Sequence, residues 1–298
     1  MLLPPPLEPD ALITIVAPSG PFDEDLLRLG VSRLEDFRCE WGEDTLKRRH
    51  GFLAGTDAQR LSELQAALDC PESGAVLVAR GGYGLARLLD DLNFDGLKRY
   101  PKWVMGFSDA TALHLSLLNQ GLHSLHCANG TTLARSTPSD LSALRSILSG
   151  ESRQEYSALE KIVGGRAQGR LFGGNLTVLF AEAASNRLHV PPGALLFLED
   201  VTETSYRIDR MLTALRRAGH FRQISGILLG EFLDCSSGKF DVSTEQVLTD
   251  NLVNLRVPLL RGLGVGHGER NAPLIFGAQG SMNADKGTLS VGTPHSDD

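Results

Sequence analysis

A serine able to act as a nucleophile stands in Val104-Met105-Gly106-Phe107-Ser108-Asp109-Ala110-Thr111, where a short apolar run meets a sequence that reads as helix. Strand, tight turn, helix is the arrangement that presents a hydroxyl at a helix N-terminus for attack on a carbonyl. The familiar elbow spacing is G-x-S-x-G, and here the last position is Ala110, so the stretch alone reads equally well as a serine capping a helix over Asp109–Asn119. A hydrolytic serine needs a base, and the base an orienting carboxylate. Of the eight histidines, His267 stands out, because it sits between Gly266 and Gly268 in a loop after an apolar run and so is not there to fill a core. The carboxylate candidates are Glu199, Asp200, Glu203 and Glu231. Glu199 follows the apolar run Ala194–Leu198 directly, where a strand end aims side chains into a cleft; its structural alternative is an ion pair with Arg207 or Arg210. The resulting order Ser…Glu…His is one that α/β-hydrolases also use.

Arg80-Gly81-Gly82-Tyr83-Gly84 is a second chemical candidate. It fails as a dinucleotide fingerprint, since Arg87 stands where the third glycine is required, and the chain has no Walker A pattern. Glycines at a strand end instead offer bare backbone N–H groups to a developing oxyanion, and the N–H of Asp109, next to the serine, supplies the second donor. His123 and His126 are three apart, but no further ligands complete a metal set at a recognised spacing, so neither metal nor cofactor is expected.

The elements that must carry these groups alternate. Ala11–Ala17, Gly74–Ala79 and Trp103–Met105 read as buried strands. Asp25–Phe37 and Leu85–Leu92 read as helices, as does the stretch after the capping box Thr56-Asp57-Ala58-Gln59, with Leu61, Leu64, Ala67 and Leu68 on one face. This is an α/β domain with a parallel sheet, and Pro18, Gly81 and Ser108 all fall at strand carboxyl ends, where such sheets place their sites. Residues 138–166 turn polar and lose strand signals, which suggests a linker between an N-terminal domain, 1–137, and a C-terminal domain, 167–298. Beyond the linker, Ala194–Leu198 and Ile224–Leu229 read as strands, Tyr206–Arg217 as an amphipathic helix, and Gly280–Thr293 as a hairpin or edge strand.

Composition narrows the function class. The net charge of −7 leaves no basic excess for a nucleic-acid partner. No run has the apolar length of a membrane span, and the N-terminus lacks a basic, apolar leader. The four cysteines lie far apart and form no C-x-x-C pair, as expected of reduced thiols in the cytoplasm.

Taken together, Ala17-Pro18-Ser19-Gly20, Gly55-Thr56-Asp57, Arg80-Gly81-Gly82-Tyr83-Gly84, Gly106-Phe107-Ser108-Asp109, Gly173-Gly174-Asn175-Leu176, Glu199-Asp200 and Gly266-His267 resemble the LD-carboxypeptidases, serine peptidases that remove the terminal D-alanine from muropeptide tetrapeptides. The match runs from about Thr14 to about Phe276. The resemblance implies a triad of Ser108, Glu199 and His267 and oxyanion donors at Gly82 and Asp109. It further implies substrate contacts at Arg80, Tyr83 and Asn175, no metal, a flavodoxin-like N-domain, a smaller β-rich C-domain and a cytoplasmic homodimer. Where the family reads His-Gly-Pro, this chain has His126-Cys127-Ala128-Asn129-Gly130. Relatives in the same family cleave a peptidyl-nucleotide antibiotic, which calls for a nucleotide-stacking aromatic in the second domain; both tryptophans, Trp41 and Trp103, lie in the first. A non-catalytic muropeptide-binding sensor is the alternative of another class, and a fluorophosphonate probe would leave it unlabelled.

Overall fold

The computed structural model describes residues 1–239 and 241–293; His295 lies outside them. The chain forms two compact units, Met1–Glu151 with Asn271–Leu274, and Ser152–Arg270 with the stretch from Ile275 onward.

In the first unit, β1 (Leu12–Val16), β2 (Arg38–Glu40), β3 (Ser73–Val78), β4 (Trp103–Gly106) and β5 (Ser124–His126) pair in parallel in the order β2-β1-β3-β4-β5. That is the flavodoxin-like order, with its reversal between β1 and β3. β1, β3 and β4 are apolar almost throughout because a parallel sheet is covered on both faces. Its helices are α1 (Glu24–Val31), α2 (Asp57–Asp69), α3 (Asp95–Arg99), α4 (Thr111–Asn119) and α5 (Pro138–Leu148). α2 starts on the expected capping box: Thr56 accepts from the Gln59 N–H, and the Gln59 side chain accepts from the Thr56 N–H. Its buried face is Arg60, Leu64, Ala67 and Leu68, with Arg60 in the place expected for Leu61.

Two helical readings need correction. α1 ends at Val31, where the Ser32 hydroxyl turns back to Leu29 O and the chain runs through turns into β2. Leu85–Leu92 forms two 3₁₀ turns, Leu85–Arg87 and Leu89–Asp91, because the first residues are held from outside: Leu85 N–H by the Asp109 carboxylate and Gly84 O by Arg60.

In the second unit, one mixed sheet joins β6 (Arg153–Tyr156), β7 (Glu160–Val163), β8 (Arg166–Asn175), β9 (Leu195–Val201), β10 (Gly226–Leu233) and β11 (Leu259–Arg261). After β12 (Leu274–Phe276) come β13 (Gln279–Asn283) and β14 (Thr288–Gly292), which also belong to it. Its order is β6-β14-β13-β8-β9-β10-β11-β7. The central strands β8 to β11 are parallel, and β13 and β14 form the expected hairpin, antiparallel to β8. α6 (Leu176–Ala184), α7 (Ser205–Arg217) and α8 (Thr244–Leu252) complete the unit.

The expected linker is not one. Residues 138–166 contain α5, which belongs to the first unit, and β6 and β7, the two edge strands of the second sheet, with the division at Glu151/Ser152. Edge strands expose one row of backbone and carry charge, here Arg153, Glu155, Glu160 and Lys161, so they lack the apolar signature of a central strand.

Candidate active site

The first unit presents Ser108 in a backbone conformation that side chains other than glycine rarely adopt, φ +64°. Such a conformation costs about 1–3 kcal/mol and persists only where neighbours enforce it. The enforcement is visible. The Asn129 side chain clasps the preceding peptide: its Oδ1 accepts from Phe107 N–H at 3.1 Å, and its Nδ2 faces Phe107 O at 3.5 Å. Gly106 has φ +154°, and a Cβ there would lie 2.9 Å from Asn129 Oδ1 and 3.1 Å from the Ala110 and Val78 methyl-bearing carbons. Ala110 itself is helical, φ −60° and ψ −16°, so the alanine that breaks the elbow spacing stands where glycine is not needed. Ser108 opens a 3₁₀ turn, Ser108–Ala110, that leads into α4.

The loops after β1, β3 and β4 are tied together under this turn. Asp109 Oδ2 accepts from the Ser19 hydroxyl at 2.6 Å and from the Leu85 N–H at 2.9 Å. Burial raises the Asp109 carboxyl pKa, against these two hydrogen bonds, which lower it. Arg60, fully buried, donates to Pro18 O and to Gly84 O. Asp109 therefore has a bracing side chain in addition to the N–H for which it was singled out. Gly81 touches the serine: a Cβ built on it would sit 2.9 Å from Ser108 Cβ and 3.0 Å from Oγ. Gly82 follows with φ +106°. Arg80 and Tyr83 are exposed, Arg80 donating to Pro21 O at 2.6 Å and Tyr83 leaning on Phe52 at 5.9 Å between ring centres.

His114 lies in α4 under the turn, fully buried, with Nε2 2.9 Å from Gly106 O and Nδ1 2.9 Å from Ser124 Oγ. Burial pushes its pKa down to about 4, so it is a neutral structural imidazole.

The second unit brings together Glu199, His267 and Asn175. His267 Nδ1 is 2.7 Å from Glu199 Oε2. Glu199 is fully buried near the end of β9, opposite Asn175 at the end of β8 in the parallel pairing. The Asn175 amide donates to Glu199 Oε1 and to Asp200 Oδ1, each at 3.1 Å, while its Oδ1 accepts from Val178 N–H and caps α6. Asn175 was expected to touch substrate; instead its amide is committed to two carboxylates, and it positions Glu199. The ion pair considered for Glu199 with Arg207 or Arg210 is not formed: Arg207 pairs with Glu203 and Arg210 lies over the Tyr206 ring. Asp200 is held by Val201 N–H, Thr177 N–H and the Thr177 hydroxyl at 2.8–3.0 Å. Burial pushes the Asp200 carboxyl up to about 6 despite these donors.

The bracing roles of Asn129, Arg60 and Ser19 were not legible in the sequence, although Ser19 and Asn129 stand in stretches quoted for the resemblance. A buried arginine on an otherwise apolar helix face was the one available signal, because Arg60 occupies the stripe that Leu64, Ala67 and Leu68 continue. Among the described residues no group of three or more His, Cys, Asp or Glu is placed to hold a metal ion.

Known proteins are similar to this chain over most of its length. The profile of the LD-carboxypeptidase N-terminal domain matches residues 13–127, and that of the LD-carboxypeptidase C-terminal domain matches residues 168–282. A Synechocystis relative is 39% identical, covering 97% of this chain and 97% of its own. The murein tetrapeptide carboxypeptidase of Pseudomonas aeruginosa is 32% identical over 93% of this chain and 94% of its own. The crystal structure of muramoyltetrapeptide carboxypeptidase from Oxalobacter formigenes superposes with a TM-score of 0.85 at 26% identity, covering 95% of this chain and all of that one.

Proposed function

This chain belongs to the LD-carboxypeptidase family, and from that membership we propose that it is a serine carboxypeptidase hydrolysing the amide bond before the terminal D-alanine of muropeptide tetrapeptides. The observation that carries this reading is the 32% identity, over nearly the whole of both chains, to a relative named murein tetrapeptide carboxypeptidase. The local chemistry supports it. Ser108 is held in a left-handed turn beside glycines, and a histidine is hydrogen-bonded to a buried glutamate.

In this reading Ser108 Oγ attacks the carbonyl carbon before D-alanine while His267 accepts the hydroxyl proton. Glu199 holds the proton on Nδ1, so that Nε2 is the basic nitrogen, and stabilises the imidazolium that forms. The N–H groups of Gly82 and Asp109 receive the oxyanion. The C–N bond then breaks, the imidazolium protonates the departing amine, and D-alanine leaves. Water, deprotonated by His267, hydrolyses the acyl-serine and returns the enzyme. The same reading makes the protein a cytoplasmic homodimer serving peptidoglycan recycling. Four free cysteines fit a reducing compartment, and no helix among the described residues is long and apolar enough to cross a membrane.

The test is release of free alanine from matched tetrapeptides by purified protein. Peptides ending in L-Lys-D-Ala or meso-diaminopimelyl-D-Ala are cleaved, and those ending in L-Ala are slower by on the order of 30- to 4,000-fold, the effect of a misplaced carboxylate anchor. Equal rates on D- and L-terminated peptides would refute the assignment.

A further inference from the structure

Arg80 leaves the end of β3 next to the serine turn. Its neighbour Gly81 abuts Ser108, Gly20 donates its N–H to Gly81 O at 3.1 Å, and a Cβ on Gly20 would lie 3.4 Å from Arg80 Nη1. Gly81 thus stands between Ser108 and Arg80, and its carbonyl holds the Gly20–Pro21 loop on which the Arg80 guanidinium is seated. Arg80 Nη1 donates to Pro21 O at 2.6 Å. Arg49 faces the same loop from the other direction, with Nη2 donating to Phe22 O at 3.0 Å and Nη1 to Arg48 O at 2.8 Å. Both arginines line a crevice of about 510 Å³, walled on its apolar side by Pro21, Phe22 and Leu26.

The charge there is unbalanced. The arginines nearby are matched: Arg48 pairs with Glu63, and Arg60 and Arg87 both pair with Asp57. Among the described residues, the guanidinium groups of Arg49 and Arg80 donate to backbone carbonyls, which orient a guanidinium without neutralising it. Asp23 also lines the crevice and caps α1 by accepting from Leu26 N–H at 2.9 Å; with its carboxylate counted, two positive charges stand against one negative. With Glu24 and Asp25 in its first turn, α1 offers no anion site of its own. The crevice lies beyond the carboxyl ends of β1 and β3, at the reversal in strand order, where open α/β sheets hold their ligands.

We propose that this crevice binds a carboxylate of the peptide substrate, with Arg80 making the contact and Arg49 supplying the second positive charge. The proposal rests on the carboxypeptidase reading above. A guanidinium presents paired N–H groups that match a carboxylate and does not lose its charge at any working pH. The place of Arg80, next to the Gly81 that borders Ser108, favours the terminal carboxylate of the departing residue, which is the carboxylate closest to the scissile bond.

The test compares kcat/KM of the wild type, Arg49→Gln, Arg80→Gln and Arg80→Lys on four peptides. These are the free-acid tetrapeptide ending in diaminopimelyl-D-Ala, its terminal amide, its D-isoglutamine analogue and its L-Lys analogue. Ratios within one enzyme do not depend on its active fraction, so a partly folded variant remains informative. The wild type is expected to prefer the free acid over the terminal amide by at least about 10-fold, Arg80→Gln to bring that ratio near one, Arg49→Gln to lower it, and Arg80→Lys to keep part of it. Collapse of the isoglutamine or L-Lys ratio instead would support the crevice and place an internal carboxylate in it. Wild-type ratios retained by both Gln variants on all three pairs would overturn the proposal. A wild type that cleaves none of the peptides would overturn the carboxypeptidase reading itself.

Discussion

Glu199 Oε2 lies 2.7 Å from His267 Nδ1, and the other oxygen of that buried carboxylate takes a 3.1 Å hydrogen bond from Asn175. With both oxygens engaged, the carboxylate has one orientation, and it dictates which ring nitrogen carries the proton. Glu199→Gln puts an amide in its place, which can turn its N–H₂ to the ring and favour the opposite tautomer. The expected loss in kcat for alanine release is about 10⁴-fold, with little change in KM. A Gln variant within a factor of ten of the wild type would remove Glu199 from the mechanism.

Gly81→Ala tests the contact with the nucleophile. The new methyl carbon would start 2.9 Å from Ser108 Cβ, so the serine or the loop must move. A displacement near 1 Å at reacting groups costs on the order of 100-fold in rate. The rate of fluorophosphonate labelling, read beside an unchanged far-ultraviolet circular dichroism spectrum, checks this. Ser108→Ala should not label at all.

Asp200 predicts a pH dependence of stability. Its carboxyl titrates near 3.8 in the unfolded chain and at about 6 in the fold, so the folded state holds the extra proton between those values. The contribution to stability is fully present below about pH 4 and is lost as pH rises through 6, a change of about 3 kcal/mol. Urea unfolding of the wild type and Asp200→Ala should show the wild type's advantage shrinking from about pH 4.5 to pH 7. A constant difference would mean that its four hydrogen bonds keep the carboxyl near its ordinary value.

The thiols should be spectators. Burial pushes Cys39 and Cys235 up to about 11 and Cys127 up to about 12, so almost no thiolate exists at neutral pH. Iodoacetamide treatment is expected to leave alanine release unchanged. Inactivation with alkylation mapped to Cys127, beside the Asn129 brace, would contradict this.

Overnight dialysis against EDTA should also leave the rate unchanged. His123 Nδ1 faces Leu2 O at 3.1 Å rather than a ligand set. Loss of activity restored by zinc would call for a metal mechanism instead.

How much of this was legible in the sequence depends on the range of the forces involved. Strands such as Leu12–Val16 and Ser73–Val78 announce themselves because a sheet covered on both faces demands unbroken apolar runs, and the start of α2 is written in Thr56 and Gln59, three residues apart. Glu199 and His267 could be singled out because a charge after an apolar strand and a histidine between glycines are expensive or pointless unless used. Pairing is another matter. Glu199 and His267 are 68 residues apart, Asn129 and Phe107 are 22, and Asp109 and Ser19 are 90. Nothing in the local pattern tells Asn175 to spend its amide on Glu199 rather than on a ligand; the parallel register of β8 on β9, which sets the two side by side, decides it. The polar edge strands β6 and β7 looked like a linker for the same reason. An edge strand is defined by what it pairs with, and its own residues, facing solvent, carry little of that information. Ser108 shows both sides. Its residue type and the glycine before it were readable, while its left-handed backbone is imposed by Asn129, Gly81 and the loops that Asp109 and Arg60 tie together, groups that only the folded chain brings to one turn.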